Sequence, residues 1–338
     1  VDLKKDSLLQ ESRDKQLNFC RRFAAKTLMD EIKQDLQAFG VVFDNYFSEQ
    51  TLYQKDEVKK TFEDLDKKGY LYESDGALWF RSTDFGDDKD RVVRKSSGDF
   101  TYLAPDIAYH RTKFDRGFNC LVDLLGPDHH GYTARLKAAC QALGHNAQEI
   151  EILIVQLVTL FRQGEPVRMS TRAGEFVTLR ELMDEVGKDA ARFFFIMRRV
   201  ESHLDFDLDL AKAKTQDNPV YYLQYAHARI ASILRFSKIS VTADVDLELL
   251  KAPQERELIK KLSEYPDILI RAGKALEPYC LADYLRDIAA SFHRFYQFQR
   301  VVSEDDALTR ARLLLCDATR IVLRNGLDLL GISQPESM

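Results

Sequence analysis

The spacing of apolar residues divides the chain into a mixed first part and a helical last part. Over residues 3–39, apolar side chains recur every three or four positions, which predicts a helix, and the same spacing predicts another over about 57–67. The segments YLYESDGALWF and VVRKSSGDFTYLA each place a Gly-containing turn between β-forming residues. Each of these segments therefore predicts a hairpin.

Strand and helix patterns then alternate. An apolar run around Val122 predicts a strand, and residues from about Tyr132 to Leu143 follow it with helical spacing. The continuous apolar run from Ile150 to Phe161 is typical of a strand buried on both faces, although a buried helix would look similar. Strands that alternate with helices predict a mostly parallel α/β sheet.

The pattern changes after about Asp209. From Tyr221 to Met338 helical periodicity recurs with almost no strand signal, and SKISVTADVDLELLKAPQER is expected to be a loop between two helices. We predict a helical bundle as a second domain. The expected fold class is therefore α/β plus all-α.

Composition narrows the class of protein. The 338 residues are 45% hydrophobic, but the longest apolar runs are far too short to span a bilayer, and no signal-peptide pattern opens the chain. The five cysteines are scattered and form no C-x-x-C pair, which argues against a disulfide framework and a zinc site. The net charge of −5 gives no global attraction to nucleic acid. We expect a globular protein of a reducing compartment, with no membrane segment.

The first candidate for chemistry is the segment GPDHHGY, which stands where the strand around residue 122 is expected to end. Ligands of open α/β sheets bind beyond the carboxyl ends of strands, and free N–H groups at helix N-termini attract anions. Gly126 and the proline after it are expected to make the turn, so that Asp128, His129 and His130 face a ligand crevice. A polar turn with solvated histidines is the alternative. A metal site is disfavoured, because no third ligand lies at a suitable spacing.

The second candidate is a loop ahead of a predicted helix. Its basic and hydroxyl side chains suit phosphate oxygens, although an exposed loop without function would look similar. These residues are Arg168, Ser170, Thr171 and Arg172. Thr178 and Glu181, three positions apart, predict a capping box at the start of the helix, and Gly187 predicts its end.

The third candidate is the pair Tyr102 and Asp106, four positions apart around a proline. Asp106 could pair with a cationic group of a ligand while Tyr102 supplies an aromatic face. The alternative is a surface aspartate that caps a helix beginning near Ile107.

The fourth candidate lies in the helical part. QYAHARI places Tyr225 and Arg229 one turn apart, and FYQFQR does the same for Tyr296 and Arg300. Aromatic rings and guanidinium groups suit the unpaired bases of nucleic acid. A bundle core with a solvated rim is the alternative. Because Lys plus Arg and Asp plus Glu are equal in number from Pro219 onward, any such contact must be local.

Together these segments resemble arginyl-tRNA synthetase of the bacterial type, a class I aminoacyl-tRNA synthetase. The resemblance runs through nearly the whole chain. It rests on the order and spacing of YLYESDGALWFRSTDFGDDKDRVV, TYLAPDIAYH, GPDHHGY, MSTRAGEFVTL, NPVYYLQYAHARI and GLDLLGISQPESM. It implies the second half of a class I Rossmann-like nucleotide-binding domain, followed by a helical-bundle anticodon-binding domain.

The resemblance also implies a division of the chain into three parts. Residues 1–90 would form a helical and hairpin insertion and the connective part of the catalytic domain. Residues 91–210 would form the Rossmann-like catalytic half with the MSTR signature loop, and residues 211–338 the anticodon-binding domain.

The implied activity is the ATP-dependent ligation of L-arginine to its cognate tRNA through arginyl-adenylate. Tyr102 and Asp106 match the arginine-binding residues of the family. GPDHHGY matches the segment beside the bound ATP or adenylate, which makes Gly126, Asp128, His129 and His130 the binding candidates there.

The remaining matches concern the signature loop and the tRNA. The MSTR segment matches the mobile class I loop that stabilises the pyrophosphate leaving group, with Thr171 and Arg172 where the usual signature carries lysines. The catalytic candidates of this loop are Met169, Ser170, Thr171 and Arg172. The residues that match positions near the anticodon loop are Tyr225, Arg229, Tyr296 and Met338. The expected partners are arginine tRNA, L-arginine and ATP with Mg²⁺. We expect no tightly bound metal, a monomer and a cytoplasmic location.

One departure from the family pattern limits these expectations. Class I enzymes carry a His-x-Gly-His signature, and none of the seven histidines begins one. The family's N-terminal tRNA-elbow domain has no match either, and the chain does not begin with Met. We expect the C-terminal portion of a longer enzyme, inactive alone in forming arginyl-adenylate. The alternatives are a cysteinyl-type class I synthetase, which holds zinc, and a non-catalytic tRNA-binding synthetase fragment. A helical scaffold with an α/β cap is a third.

Overall fold

The computed structural model describes Leu8, residues 10–169 and residues 176–338. In chain order, the helices and strands are α1 (Arg13–Phe39), α2 (Gln50–Gln54), α3 (Glu57–Lys67), β1 (Leu71–Ser74), β2 (Ala77–Phe80), β3 (Arg91–Arg94), α4 (Leu103–Asp115), β4 (Leu121–Leu125), α5 (Thr133–Leu143), β5 (Ile150–Ile154), β6 (Val158–Arg162), β7 (Glu165–Pro166), α6 (Leu179–Val186), α7 (Lys188–Ile196), β8 (Leu204–Asp207), α8 (Leu208–Lys212), α9 (Pro219–Ser237), α10 (Pro253–Ser263), α11 (Tyr265–Ala275), α12 (Tyr279–Phe298) and α13 (Asp306–Leu329).

The chain divides into two compact units. The sheet unit comprises Phe43–Val158 and Val200–Leu204. The helical unit comprises Val1–Val42, Thr159–Arg199 and Asp205–Met338. These two compact units do not test the predicted division of the chain into residues 1–90, 91–210 and 211–338. That division stays a prediction.

The sheet unit begins with the predicted hairpin. β1 and β2 pair antiparallel from Leu71 opposite Phe80 to Ser74 opposite Ala77. The two linking residues have positive φ, 51° at Asp75 and 71° at Gly76, which matches the right-handed twist of the strands. β3 adds a third antiparallel strand. The second predicted hairpin is shorter than expected. After β3 the chain turns back and pairs with it only at one isolated bridge, between Arg94 and Phe100.

A parallel pair of strands follows. β4 and β5 pair parallel over five residues each, and α5 connects them. Apart from this parallel pair, the pairings β1–β2, β2–β3 and β6–β7 are antiparallel, so the prediction of a mostly parallel sheet was wrong in extent. The fold class, α/β plus all-α, is confirmed. The core of the sheet unit forms where α3, α4 and α5 cover the strands. Leu65 of α3 and Ile107 of α4 belong to the same buried cluster as Phe80 of β2.

The predicted strand from Ile150 to Phe161 was wrong, because the run contains two strands. β5 ends at Ile154, and the chain then leaves its partner β4 for another sheet, with the Gln156 N–H donating to the Val200 carbonyl. Val155 and Leu157 between the strands are exposed rather than buried. An apolar run alone does not show where the partner strand changes.

The bundle of the helical unit is built from α9, α10, α12 and α13. Fully buried side chains such as Leu223, Leu285, Phe292 and Leu313 form its core. The predicted loop between helices ends earlier than expected, because Pro253 starts α10 at the first helical position, where a proline costs no hydrogen bond. No helix among the described residues is long and apolar enough to cross a membrane.

Helix α1 confirms the first helical prediction from Arg13 onward. Its last turns are tied to α6 by an ion pair from Arg180 to Asp35 at 2.7 Å, and to α7 by Arg192, which donates to the Phe39 carbonyl at 3.0 Å. Along its described length α1 buries no residue. The apolar positions that predicted the helix, including Phe23 and Leu28, are exposed.

Gly326 on α13 faces Leu285 of α12, and its replacement by alanine is expected to destabilise the bundle. A Cβ there would lie 2.5 Å from a methyl carbon of Leu285, a fully buried side chain. Overpacking of this kind costs about 1–3 kcal/mol, which outweighs the gain of up to about 1 kcal/mol from replacing a helical glycine. We expect a net loss of about 1 kcal/mol in the free energy of unfolding, measured by urea denaturation.

Gly273 in α11 is the matched control, because a Cβ there meets nothing within 4 Å. Gly273→Ala is expected to stabilise by about 0.5–1 kcal/mol through helix propensity. Equal effects of the two substitutions would contradict the packing described at α12 and α13.

Candidate functional site

The first turn of α4 carries the candidate arginine-binding pair. Pro105 is tolerated there because the first-turn N–H groups have no helical partner, and the carboxylate of Asp106 in the same turn is favoured by the helix dipole. Tyr102 directly precedes the helix and is 89% exposed, so its ring is free to meet a ligand. Asp106 is half-buried within the helix rather than the cap of a helix beginning near Ile107.

The GPDHHGY segment forms a turn of 3₁₀ helix, Pro127–Tyr132, at the exit of β4, as predicted. The His129 N–H donates to the Gly126 carbonyl at 3.0 Å and closes the turn. The ring of His129 lies 3.5 Å from the carboxylate of Asp128, and both side chains are solvent-accessible. His130 lines a cavity of about 680 Å³ beside α5, and Lys137 lines the same cavity.

Tyr132 joins these two candidate groups. Its hydroxyl donates to Oδ2 of Asp106 at 2.6 Å, so the last residue of the turn holds the carboxylate on α4. Burial raises the pKa of Tyr132, and the negative Asp106 raises it further, which keeps the hydroxyl a donor. Oδ1 of Asp106 accepts no side-chain hydrogen bond from the described residues. Sequence reasoning did not select Tyr132, although it ends the quoted motif.

A buried charged cluster fixes α4 to β4 directly below this site. Nδ1 of His110 lies 2.7 Å from the Asp106 carbonyl, and Nε2 lies 2.7 Å from Oδ2 of Asp123. A carbonyl and a carboxylate both accept hydrogen bonds, so each holds one edge of the ring. Lys113 donates to Oδ1 of Asp123 at 2.7 Å. Burial alone would raise the pKa of Asp123, but the hydrogen bonds and charges of His110 and Lys113 outweigh it and lower that pKa to about 2.

The signature-loop candidates lie at the edge of the described structure. Met169 is exposed, whereas Ser170, Thr171 and Arg172 fall outside the described residues. The helix after the loop begins as predicted, since the hydroxyl of Thr178 accepts the Glu181 N–H and the Glu181 carboxylate accepts the Thr178 N–H. Gly187 ends that helix with a φ of 82°, which also confirms the prediction.

In the helical unit, two anticodon candidates meet directly. Nη2 of Arg229 on α9 donates to the hydroxyl of Tyr296 on α12 at 2.8 Å, and its guanidinium lies 4.8 Å from the centre of the same ring. Both residues line a cavity of about 660 Å³. Tyr225 reaches α12 through His293, whose ring centre is 5.8 Å away. Met338 is exposed at the end of the chain.

The prediction that Tyr296 and Arg300 share a helix face was wrong. α12 ends at Phe298, because the next residue has extended backbone angles. Arg300 nevertheless lines the same cavity. The turn after α12 is held by Arg312, which donates to the Arg300 carbonyl at 2.8 Å and pairs with the buried Glu255 at 2.7 Å.

Two exposed aromatic side chains at this cavity were missed by sequence reasoning. Phe236 and Phe298 line it and are 78% and 62% exposed. Apolar spacing in a helix predicts that an aromatic side chain belongs to the core. Only the structure shows that these two rings are exposed whereas rings such as Phe292 are buried. Among the residues that the structure describes, no three His, Cys, Asp or Glu side chains come together as a metal-binding group.

Comparison with known proteins identifies the class to which this fold and these sites belong. Residues 6–203 match the family described as the catalytic domain of class I (R) tRNA synthetases. Residues 223–338 match the DALR anticodon-binding domain. A solved Campylobacter jejuni protein assigned as an arginyl-tRNA synthetase superposes with a TM-score of 0.85 at 32% identity, covering 100% of this chain and 75% of that one. The Thermus thermophilus arginyl-tRNA synthetase shares the fold, with a TM-score of 0.81 and 22% identity. That match covers 96% of this chain and 65% of the other.

The chain belongs to the arginyl-tRNA synthetase family of class I. The Citrifermentans bemidjiense arginine–tRNA ligase is 52% identical over 98% of this chain. The chain spans 61% of that relative's length. A cysteinyl-type synthetase, the alternative that the sequence left open, is not favoured by these matches.

Proposed function

We propose that this chain carries the arginine site, the adenylate-binding turn and the anticodon-binding bundle of an enzyme that ligates L-arginine to its tRNA. The observation that carries the proposal is the hydrogen bond from Tyr132 to Asp106. It places the carboxylate that suits an arginine side chain directly against the segment that resembles the adenylate-binding turn.

The chemistry at Asp106 fits a guanidinium ligand. Tyr132 occupies Oδ2 and orients the carboxylate, which leaves Oδ1 to accept from a guanidinium N–H. Tyr102, one turn earlier and exposed, would cover the planar cation with its ring.

The turn Gly126–His130 would hold ATP or the adenylate. Its exposed Asp128 and His129 offer a carboxylate to ribose hydroxyls and an imidazole to phosphate oxygens. Mg²⁺ would enter with ATP as part of the substrate, and the loop Met169–Arg172 would stabilise the pyrophosphate that leaves. No further resident metal is part of the proposal.

The chain contains no His-x-Gly-His, the signature that class I enzymes carry. We therefore do not expect these 338 residues alone to catalyse arginine-dependent exchange of pyrophosphate with ATP. Detectable exchange would contradict this part of the proposal.

The bundle would bind the anticodon of arginine tRNA at the cavity lined by Arg229 and Tyr296. A guanidinium stacked on a phenol ring, with exposed Phe236 and Phe298 at the rim, presents the surfaces on which unpaired bases stack. Tyr225 and Met338 would complete the interface.

Arg229→Ala is expected to weaken binding of arginine tRNA roughly tenfold, because a cationic and stacking contact to a base is lost. The preference over a tRNA with a replaced anticodon should fall by a similar factor. Titration of labelled transcripts would measure both affinities.

Arg286→Ala is the control for this substitution. Arg286 is an exposed cation on α12 that pairs with Asp283 at 3.5 Å. Its loss should change affinity less than twofold at moderate salt, since one exposed charge contributes little. If Arg229→Ala changes affinity no more than this control, the cavity is not the anticodon site.

The remaining expectations belong to the same proposal. The anticodon-binding domain would comprise residues 211–338, and the catalytic part residues 1–210 with its signature loop after residue 168. The protein would act as a cytoplasmic monomer. The alternative of a non-catalytic tRNA-binding fragment is not favoured by the family matches, and arginine binding at Asp106 would distinguish the two.

A further inference from the structure

A short strap between α12 and α13, residues 299–303, contributes one wall of the cavity that Arg229 and Tyr296 line. The strap has no regular secondary structure, and its first four residues line the cavity. Val301 in its middle is nevertheless buried. The position of this wall therefore depends on what holds the strap.

The first anchor of the strap is Arg312 on α13, which is 8% exposed. Its Nε donates to the buried carboxylate of Glu255 at 2.7 Å. Its other two nitrogens donate to the strap, Nη1 to the Arg300 carbonyl and Nη2 to the side-chain oxygen of Gln299, both at 2.8 Å. One planar guanidinium thus holds the beginning of the strap to a buried charge.

The second anchor is Thr309, in the first turn of α13. Its side chain is almost fully buried, and its hydroxyl oxygen accepts the Ser303 N–H at 3.0 Å. Both ends of the strap are therefore fixed to α13 through backbone groups. These bonds use none of the donors on the side chain of Arg300.

The Arg300 side chain is a free cation at the cavity. It is exposed, and its guanidinium forms no ion pair or hydrogen bond with the described residues. The guanidinium of Arg229 is instead engaged by the hydroxyl and the ring of Tyr296. Among the described residues that line the cavity, these two arginines carry the charge and none is acidic. The cavity therefore favours an anionic ligand.

The neighbours of Arg300 indicate which kind of anion fits. The exposed rings of Phe236 and Phe298 line the same cavity, beside the stacked pair of Arg229 and Tyr296. An unpaired nucleotide presents a flat base and a phosphate on one backbone, and so matches aromatic faces next to a free cation. An acidic peptide would use the cations but not the stacking surfaces.

We propose that the strap is a phosphate-binding element: Arg300 binds a backbone phosphate of the unpaired tRNA loop whose bases stack at Arg229 and Tyr296, and Arg312 is the positioning residue that holds Arg300 in place. This inference rests on the proposed function, because it adds a phosphate contact to the anticodon cavity.

The phosphate contact is tested by the salt dependence of tRNA binding. Each phosphate of a single strand that a cation neutralises contributes about 0.7 to the slope of log affinity against log salt. Arg300→Gln should make this slope shallower by about 0.7 and weaken binding about fivefold at low salt. The loss should be equal for arginine tRNA and for the same transcript with a replaced anticodon. Arg300→Lys should keep the slope, because lysine also binds phosphate.

Arg310→Gln is the control for the loss of one positive charge. Arg310 is exposed on α13 but does not line the cavity, so its loss should leave the slope unchanged. A wild-type slope for Arg300→Gln, or an equal change in the control, would overturn the proposal. A loss confined to the native anticodon would overturn it too, since it would assign Arg300 to a base.

Arg312→Lys tests the strap. A lysine keeps a positive charge beside Glu255, but its single ammonium cannot reproduce the planar fork that reaches three acceptors. Urea denaturation establishes that the variant is folded. The folded variant should lose as much slope as Arg300→Gln, and the double variant should lose no more, because both act through one contact. A wild-type slope for folded Arg312→Lys would overturn the positioning role.

The phosphate contact and the anticodon function can fail separately. If the wild type binds both tRNAs equally, the proposed anticodon function fails, and the slope for Arg300→Gln still decides whether Arg300 binds a phosphate. If the wild type prefers the native anticodon but its slope survives Arg300→Gln, the anticodon function stands and the phosphate contact is overturned.

Discussion

Replacing Asp106 with asparagine is expected to weaken binding of L-arginine to this chain by roughly 10- to 100-fold. The substitution removes the charge of the carboxylate, and a hydrogen bond to a charged group is worth about 1.5–3 kcal/mol. The amide oxygen can still accept from the Tyr132 hydroxyl, so α4 should keep its place against the GPDHHGY turn. Isothermal titration with L-arginine measures the affinity directly.

Asp115→Asn is the control for this prediction. Asp115 is the last residue of the same helix, and its side chain is 65% exposed. Both variants lose one negative charge from α4, so a general electrostatic effect would weaken arginine binding equally in both. An unchanged affinity in the Asp106 variant, with the wild type binding arginine, would place the arginine site elsewhere.

Replacing Asp123 with asparagine should lower the free energy of unfolding by about 3 kcal/mol at neutral pH, because it leaves His110 and Lys113 buried without their counter-charge. Asp64→Asn is the comparison. Asp64 on α3 pairs with Arg111 on α4 at 2.7 Å, but the Asp64 side chain is 44% exposed. The loss of its charge should therefore cost less than about 1 kcal/mol. Urea denaturation of the three proteins gives both differences.

The effect of Asp123 has a defined pH dependence. Its pKa falls from about 4 in an unfolded chain to about 2 in the folded one, so the ionised carboxylate stabilises the folded state. This stabilisation is fully present above about pH 4 and is lost as the pH falls toward 2. The difference between wild type and Asp123→Asn should therefore be constant near neutrality and shrink on acidification from pH 4. A difference that grows over that range would contradict the cluster.

The elements that sequence predicted best are those whose signals are local. The helix Glu57–Lys67 follows from its apolar spacing, and the turn at Asp75 and Gly76 follows from residues that tolerate positive φ. The capping box of Thr178 and Glu181 is likewise contained within four residues. In each case the residues that determine the structure are neighbours in the sequence.

The features that sequence missed depend on partners far along the chain. The break after Ile154 arises because β5 and β6 pair with different strands, which an apolar run does not encode. Tyr132 gains its role from Asp106, 26 positions earlier, and the buried His227 meets the carbonyl of Pro335, 108 positions later. Such contacts become visible only when the chain is folded.

We propose that this chain recognises arginine tRNA through the bundle of its helical unit. The most direct test is to bind the chain to arginine tRNA and to the same tRNA with its anticodon replaced, at two salt concentrations. Phosphate contacts alone give affinity that is blind to sequence and falls steeply with salt. We expect the native anticodon to bind more tightly at both concentrations. Equal binding of the two tRNAs at both concentrations would contradict the claim.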